Sequence, residues 1–198
     1  MHKIIIALPM LAGLLLTAGG AAAAGATTTE ITLLGKDPGQ STAFACFSRH
    51  YDAAHLAAHP KQNVRDIQVF TDSTYDKDTG RDYMLTVGVG FRKFKREFDI
   101  SGGCSTTVDG KNLLSCGADC DGGHFDITTQ SQSTILLSIP ESVRLWDPSA
   151  SDDSPSDDPP KGADFGSDDK LFRLDRAPLA ECEPLMSDDE KADVAKLK

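Results

Sequence analysis

Alternating apolar and polar residues dominate the middle of the chain. The longest alternation is Tyr83–Ile100, YMLTVGVGFRKFKREFDI, where the apolar residues occupy odd positions up to Phe91 and even positions from Phe94 onward. A β-bulge changes the face of a strand by one residue, and long strands that bend around a closed sheet use such bulges. The pattern therefore predicts one long strand that bulges near Arg92 and Lys93.

Shorter stretches of the same kind lie on both sides of this strand. The connections between them are of turn length and rich in Gly, Pro, Asp and Ser. Short strands at this spacing, with almost no helix between them, predict a mainly β fold, an antiparallel meander closed as a small barrel or folded as a sandwich. The predicted strands are Asp66–Tyr75, Leu113–Cys116, His124–Thr129, Thr134–Ile139, Ser142–Trp146 and Lys170–Asp175, with the weakly alternating Thr28–Leu34 as a first strand.

Helix is predicted at two places. Residues 51–58 are expected to form a short amphipathic helix that ends before His59 and Pro60, because proline disfavours the helical conformation of the residue before it. The tail 183–198 contains a capping-box pattern at Ser187 and Glu190, so a C-terminal helix is expected there.

The first 26 residues have the pattern of a bacterial signal peptide. A basic start at Lys3 is followed by an apolar run, Ile4–Leu16, and then by small residues with an A-x-A pattern at 22–24 or 24–26. The run is too short to span a bilayer, and no cysteine ends the leader to hold a lipid. We expect cleavage, a single β domain at 27–182, a C-terminal tail, and a periplasmic or secreted location without a membrane span.

The charge balance is strongly acidic. Without residues 1–26, which hold one lysine and no acid, the chain has 19 basic and 30 acidic residues, and segment 147–169 alone has eight aspartates against Lys161. Such a balance repels nucleic acid and anionic lipid and suits a cationic partner. Four prolines and few apolar residues predict that the segment is an acidic, disordered loop. It lacks the ligand spacing of a calcium-binding EF-hand loop.

Five cysteines enter a compartment in which disulfides persist, so at most two bridges form and one thiol is left over. A turn at 108–112 would place Cys104 opposite Cys116, with Cys120 as a near competitor. Cys46 and Cys182 lie near the two ends of the folded region, and a bridge between them would close a very long loop. Spacing favours these pairs without fixing them.

The stretch RHYDAAHLAAHPKQ, residues 49–62, holds three of the five histidines. On a helix, His55 and His59 lie on one face and Asp52 projects nearby, so these side chains are candidate ligands for a transition metal as cofactor. A zincin protease needs glutamate directly after the first histidine, and Leu56 stands there. The alternative is an ordinary capped helix without a ligand.

His124 begins a strand directly after CDGG. One interpretation is a polar turn site that it forms with Asp119 or Asp121, and the other is an exposed histidine at a strand end. No G-x-S-x-G, phosphate-binding loop or C-x-x-C is present. Because no complete set of nucleophile, base and orienting residue is visible, the sequence favours a non-catalytic protein.

Arg92, Lys93, Lys95 and Arg96 form a cluster of cations interleaved with phenylalanines. Some polyanion-binding surfaces have this composition, so the cluster is a candidate binding site. The alternative, which the net charge favours, is a half-buried strand whose cations face the acidic loop or the solvent. With a bulge at the predicted place, Arg96 shares a face with Phe98, points inward and needs a carboxylate partner.

Three segments, CFSRHYDAAHLAAHPKQ, CDGGHFD and LFRLDR, resemble segments of an uncharacterised family of small secreted proteins of Gram-negative bacteria, across roughly residues 46–182. This resemblance implies no catalytic residue. At the level of the fold, an exported, disulfide-linked, mostly antiparallel barrel is similar to periplasmic lysozyme inhibitors and calycin-like binding proteins.

Two functions follow from these features. The first is a secreted, periplasmic, non-catalytic binding or inhibitor-like protein that takes a small ligand in the barrel mouth or a cationic protein, such as a lysozyme-like enzyme, through its loops. The second is a metal-binding protein or metal-dependent enzyme that uses His55 and His59. Replacing both histidines with alanine separates the two, because only the second function depends on them.

Overall fold

The structure is a computed structural model that describes residues 28–106, 113–149 and 159–197. Within these residues, eight antiparallel strands form a closed barrel in which each strand pairs with its neighbour in sequence and the last pairs with the first. The predicted mainly β meander is confirmed, and it closes as a barrel. The strands are β1 (Ala43–His50), β2 (Val64–Asp76), β3 (Gly80–Phe91), β4 (Glu97–Thr106), β5 (Leu113–Ala118), β6 (His124–Ser131), β7 (Thr134–Ser138) and β8 (Leu171–Arg176).

Short helices lie outside the sheet. None of the helices in the described ranges is long and apolar enough to cross a membrane. They are α1 (Thr28–Leu34), α2 (Ala53–Ala58), a 3₁₀ helix (Leu179–Leu185) and α3 (Asp188–Ala195).

Apolar side chains fill the inside of the barrel. Alternate residues of each strand point inward, and most of these positions hold Val, Leu, Ile or Phe. The interior of an eight-stranded barrel is just wide enough for side chains to fill it, so this barrel is a packed core and not a container. Inward side chains with at most 1 % exposure include Phe47, Ile67, Val69, Leu85, Val87, Val89, Phe98, Ile100, Leu114, Phe125, Ile127, Ile135, Leu137, Phe172 and Leu174.

Residues 28–34 form α1, which lies across one end of the barrel, and the predicted first strand there is wrong. Leu33 and Leu34 are buried in the core. The helix ends at Gly35, which has a φ of 79° and donates its N–H to Ile31 O at 2.9 Å. Glycine adopts this conformation without strain and commonly caps a helix in this way. The weak alternation of TTEITLL favoured a strand, although the glycine that ends the helix is present in the sequence.

Two arginines fasten α1 to the barrel. The Arg81 guanidinium lies 3.5 Å from the Glu30 carboxylate, and the Arg81 side chain is 4 % exposed. Arg176 donates hydrogen bonds to Thr32 O and Leu33 O, both at 2.9 Å, where the C-terminal end of the helix attracts a cation. These contacts close this end of the barrel.

The predicted long strand at 83–100 is a hairpin, because β3 and β4 are joined by a turn at 92–96. Val89 pairs with Phe98, and both side chains are fully buried. Paired residues of a hairpin face the same side of the sheet, so the reversal of the chain produces the change of parity. The predicted bulge near Arg92 and Lys93 is therefore wrong.

Residues 142–146 cross the opposite end of the barrel. They form two isolated bridges and not the predicted strand, since Trp146 pairs with Asp99 of β4 and Val143 pairs with Gly123. Val143 also belongs to the buried core. The segment thus fills the space between the start of β4 and the connection from β5 to β6.

The last part of the acidic segment packs against this end of the barrel. Residues 150–158 lie outside the described residues, whereas Phe165 packs against the core and Asp169 is fully buried. The Asp169 carboxylate accepts backbone N–H bonds from Asn63 at 2.6 Å and Gly166 at 2.7 Å. A buried carboxylate needs such donors, and these donors fix its loop to the start of β2. The predicted disorder is wrong for the loop around Asp169.

Residues 178–197, which we call the C-terminal cover, lie on the outer face of β1–β3. Cys182 forms a disulfide with Cys46 of β1. Leu185 packs over Gly88 of β3, where an added Cβ would lie 2.7 Å from the Leu185 side chain. Aromatic side chains of β1 and β2 complete a second apolar cluster outside the barrel. Ser187 is the N-cap of α3 and forms the predicted capping box with Glu190.

Both favoured cysteine pairings are confirmed. The shorter bridge joins directly paired positions of β4 and β5, and the thiol left over is exposed. The turn predicted at 108–112 lies outside the described residues. The bridges are Cys46–Cys182 and Cys104–Cys116, and the free thiol is Cys120.

We expect the two disulfides to contribute unequally to stability. The chain-entropy relation gives about 5 kcal/mol for the Cys46–Cys182 separation of 136 residues and about 3 kcal/mol for the Cys104–Cys116 separation of 12 residues. Urea unfolding of the two Cys→Ala double variants, both in a Cys120→Ala background, measures these losses. An equal or larger loss for the shorter loop would contradict the expectation.

Candidate functional site

The predicted metal ligands lie on and beside α2, and two of them are engaged within the chain. Asp52 is the N-cap of α2, and its Oδ1 atom accepts the His55 backbone N–H at 2.7 Å. His55 Nε2 lies 3.0 Å from Oε1 of Gln62, which is 5 % exposed. A ring nitrogen that donates its proton to an amide oxygen has no lone pair for a metal.

The rings of Tyr51, His55 and His59 form a stack. The ring centroids are 4.7 Å apart for the first pair and 4.3 Å apart for the second. In the part of the chain that the structure describes, no group of three or more His, Cys, Asp or Glu side chains is placed to hold a metal ion. The structure therefore brings His55 and His59 together as stacked rings, while Asp52 caps the helix, and the three are not placed as a group of metal ligands.

The predicted cation cluster is the turn between β3 and β4, and its first arginine binds α2. Arg92 Nη2 donates to Leu56 O at 2.7 Å and to His59 O at 2.6 Å, at the C-terminal end of the helix. Cations are favourable at this end of a helix. Arg92 thus holds α2 against the barrel end.

Arg96 finds the carboxylate partner that the sequence predicted, but on the outside of the barrel. Its Nη2 atom lies 2.6 Å from Oδ2 of Asp147, and its guanidinium lies over the Phe98 ring at 5.4 Å. The side chain is 48 % exposed, because the chain turns at this point and has no bulge that would direct Arg96 inward. Lys93 and Lys95 are exposed. This arrangement agrees with the alternative interpretation of the cluster, in which its cations face the acidic segment and the solvent.

His124 binds Asp126 and not the predicted Asp119 or Asp121. Its Nε2 atom lies 2.8 Å from Oδ1 of Asp126 and 3.4 Å from Oγ of Ser115. A catalytic triad needs the acid and the nucleophile on opposite nitrogens of the imidazole. Because both groups contact the same nitrogen, this arrangement does not activate the serine.

Three carboxylates crowd the outer side of the barrel beside β4. Burial, and after it the charges of Glu97 and Asp147, raise the pKa of Asp99 to about 6. Burial, and after it the charge of Asp66, also raises the pKa of Glu97. We call Glu97 and Asp99 the β4 carboxylates. The sequence analysis did not identify this group. Its signal was the spacing of Glu97 and Asp99, which stand at alternate positions of β4 and therefore lie together on its outer side.

A second crowded group lies under the C-terminal cover. Burial, and after it the charges of Glu190 and Asp193, raise the pKa of Asp72 on β2. Among the described residues, Asp72 Oδ1 has no hydrogen-bond partner. A neighbouring like charge disfavours the ionised form of a carboxyl group, and a nearby cation favours it.

The two crowded groups meet the C-terminal cover in different ways. Asp99 pairs with Gly88, which lies beneath Leu185 of the cover. Asp72 lies under α3, where Glu190 and Asp193 of the cover approach it. Carboxylates therefore lie both beside the cover and at its underside.

Surface cavities lie outside the packed barrel. One, of about 390 Å³, is at the barrel end beside 142–145 and 163–165. Another, of about 470 Å³, lies between the 3₁₀ helix and α3, and we call it the C-terminal groove. Its apolar lining includes Pro178, Leu179, Met186, Val194, Ala195 and Leu197.

Comparison with known protein families, curated proteins and solved structures finds no match for this chain. The resemblance to small secreted proteins of Gram-negative bacteria and the likeness to lysozyme inhibitors and calycin-like proteins stay predictions. Function therefore has to follow from the geometry of the chain itself.

The raised pKa of Asp99 predicts a pH-dependent penalty on folding. Its pKa is about 6 in the folded chain against 3.8 for the free side chain, so ionisation of Asp99 favours unfolding. The penalty is absent below pH 3.8 and fully present above pH 6. Asp99→Asn should therefore stabilise the protein at neutral pH and have little effect in acid. Each pKa unit corresponds to about 1.4 kcal/mol, and solvent screening reduces the expected gain to about 1 kcal/mol.

Thermal unfolding of Asp99→Asn across this pH range measures the effect. Asp82→Asn, at an exposed position of neighbouring β3, is the control and should shift the free energy of unfolding by less than about 0.5 kcal/mol. A gain for Asp99→Asn that is equal in acid and at neutral pH would show that the substitution acts through packing and not through charge.

We expect the mature protein, purified without an affinity tag or added metal, to hold no stoichiometric zinc, copper or iron. The reason is that Asp52 and the His55 ring are already hydrogen-bonded within the chain. Elemental analysis by mass spectrometry checks this. About one equivalent of metal that is lost in a His55→Ala, His59→Ala variant would reverse the conclusion and favour the metal-dependent function.

Proposed function

We propose that this chain is an exported, non-catalytic protein that binds a cationic protein partner, in the manner of an inhibitor, on the acidic surface around its C-terminal cover. The observation that supports this most directly is the gathering of carboxylates around the cover. Burial, and after it the charges of neighbouring carboxylates, raises the pKa of Asp99 and of Asp72. A cationic group placed beside them relieves that repulsion.

The packed interior supports a binding surface on the outside. Large apolar side chains fill the barrel, α1 covers one end and residues 142–146 cross the other. A small ligand therefore has no space inside the barrel, and a partner has to use the outer face or the surface grooves. Protein partners bind such exposed surfaces.

The chemistry of the described residues supports binding over catalysis. The one Ser, His and Asp arrangement described above has both partners on the same imidazole nitrogen. Two disulfides suit an oxidising compartment outside the cytoplasm, and the N-terminal pattern predicts export. A binding protein for the periplasm or the extracellular space combines these features.

Electrostatic attraction also determines how such a partner approaches. With 30 acidic residues in the chain, the field around the protein attracts basic proteins and speeds their association. That attraction falls with ionic strength, because the screening length is about 10 Å at 0.1 M salt. Salt dependence is therefore a direct signature of the proposed contact.

A binding titration of mature protein against a c-type lysozyme, a basic ribonuclease and an acidic protein of similar size tests the proposal. We expect a basic protein to bind, with an affinity that falls at least about tenfold between about 50 mM and 300 mM NaCl. The acidic protein should not bind. Failure of both basic proteins to bind, or equal binding of the acidic protein, would contradict the proposal.

A pair of variants with the same change of charge locates the contact. Neutralising the β4 carboxylates with Glu97→Gln and Asp99→Asn should weaken binding about fivefold, which is about 1 kcal/mol. The control is Asp78→Asn with Asp82→Asn, two exposed positions on β3 and the turn before it. Equal losses in the two double variants would mean that net charge acts without a defined surface.

A further inference from the structure

The C-terminal groove has the composition of a docking site for an apolar side chain. Apolar side chains form most of its surface, and Glu183 and Lys191 supply charged groups at its lining. Leu197 at one wall is 55 % exposed, whereas Met186 at the base is 6 % exposed and belongs to the second apolar cluster. A volume of about 470 Å³ lies within the range of about 300–1,000 Å³ typical of ligand-binding pockets.

The walls of this groove are held in place by the barrel. The Cys46–Cys182 disulfide fixes the 3₁₀ helix, and Leu185 occupies the space above Gly88. A capping box at Ser187 fixes the start of α3. A groove that is formed before binding loses little conformational freedom when its partner arrives.

Charge around the groove determines which occupant fits. Between residues 178 and 197 the chain has six acidic residues and two lysines. Lys196 is already paired with Asp193 at 2.6 Å, and the two crowded carboxylate groups lie beside the cover. An apolar anchor flanked by basic residues therefore fits this surface, whereas an anionic segment or an anionic lipid surface is repelled.

We propose that the C-terminal groove docks an apolar side chain from a basic, amphipathic segment of the partner. This inference rests on the proposed function and adds the place and the chemistry of recognition. Amphipathic helices commonly bind apolar grooves through residues spaced three or four apart. Glu183 lines the groove, and five further acidic residues lie in the cover, so flanking lysines or arginines of such a segment find carboxylates to pair with.

Three synthetic peptides distinguish the contributions of the anchor and of the charge. The first is a helical peptide with leucines along one face and lysines on the other, the second has glutamates in place of lysines, and the third has alanines in place of leucines. Each peptide is titrated into the ¹⁵N-labelled mature protein, the chain without residues 1–26. NMR spectra recorded during the titration give the affinity and the residues whose signals shift. We expect the first peptide to bind with shifts at Leu179, Val194 and Leu197, and the other two to bind at least about tenfold more weakly.

Leu197→Ala and Leu171→Ala form a matched pair of variants. Both leucines are largely exposed, at 55 % and 59 %, but Leu171 lies on β8 away from the groove. Loss of the leucine from the groove should weaken the leucine–lysine peptide about fivefold, and loss of the other should change its affinity by less than about twofold. Because both positions are exposed, the two variants should keep the fold, which circular dichroism checks.

The outcomes separate the groove from the general function. If lysozyme or ribonuclease binds but the leucine–lysine peptide does not, or if Leu197→Ala has no effect, the groove assignment is wrong and the proposed function stands. If the glutamate peptide binds as well as the lysine peptide, the basic character of the occupant is wrong. Self-association that Leu197→Ala abolishes would identify a second copy of this chain as the occupant and overturn the proposal. If neither a basic protein nor the peptide binds, the proposed function fails as well.

Discussion

The short seam between β1 and β8 is the contact on which the rest of the structure depends. It has two paired positions, Phe47 with Arg176 and Ser48 with Asp175, whereas β1 and β2 share eight. Side chains compensate for this short ladder. The Arg176 guanidinium lies over the Phe47 ring at 4.6 Å and donates to backbone carbonyls of α1. Just after the seam the chain leaves the barrel, and a disulfide to Cys46 holds it against the outside. The same few residues therefore close the barrel, hold α1 across its end and attach the C-terminal cover.

This closure determines where a partner can bind. A closed sheet has no free edge strand to pair with another chain, and the eight-stranded interior is filled by side chains. Recognition is thus left to the outer face and to the segments that leave the sheet. The C-terminal cover is such a segment, and Gly88 permits its close approach, because a side chain there would clash with Leu185. The cover buries the outward aromatic side chains of β1 and β2 and presents its own apolar groove and acidic side chains in their place.

The alternation of apolar residues predicted most strands, because each strand has one face in the core and one face outside. The same alternation did not distinguish a bulge from a hairpin at 83–100, since the turn at 92–96 has none of the Gly, Pro, Asn or Asp residues that mark turns. For helix α1, by contrast, a local signal was present but was not sufficient to predict the helix. Its stop signal, Gly35, was present in the sequence, but a seven-residue helix becomes stable through Leu33 in the core and Arg176 at its end. These contacts depend on the closed barrel and have no local signature.

The surroundings of the acidic residues also depend on contacts that the fold creates. Asp169 accepts one N–H bond from Gly166 in its own loop and another from Asn63, 106 residues away. Asp72 and Glu190 are more than 100 positions apart in the sequence, and only the folded chain brings their charges together. Composition predicts that the chain is acidic, but it does not predict where the carboxylates come close together in the folded chain. Crowded carboxylates such as Asp99 destabilise the folded chain at neutral pH, where they are ionised. The proposed cationic partner would offset the repulsion between these carboxylates, so the part of the penalty that comes from like charges would be smaller in the complex.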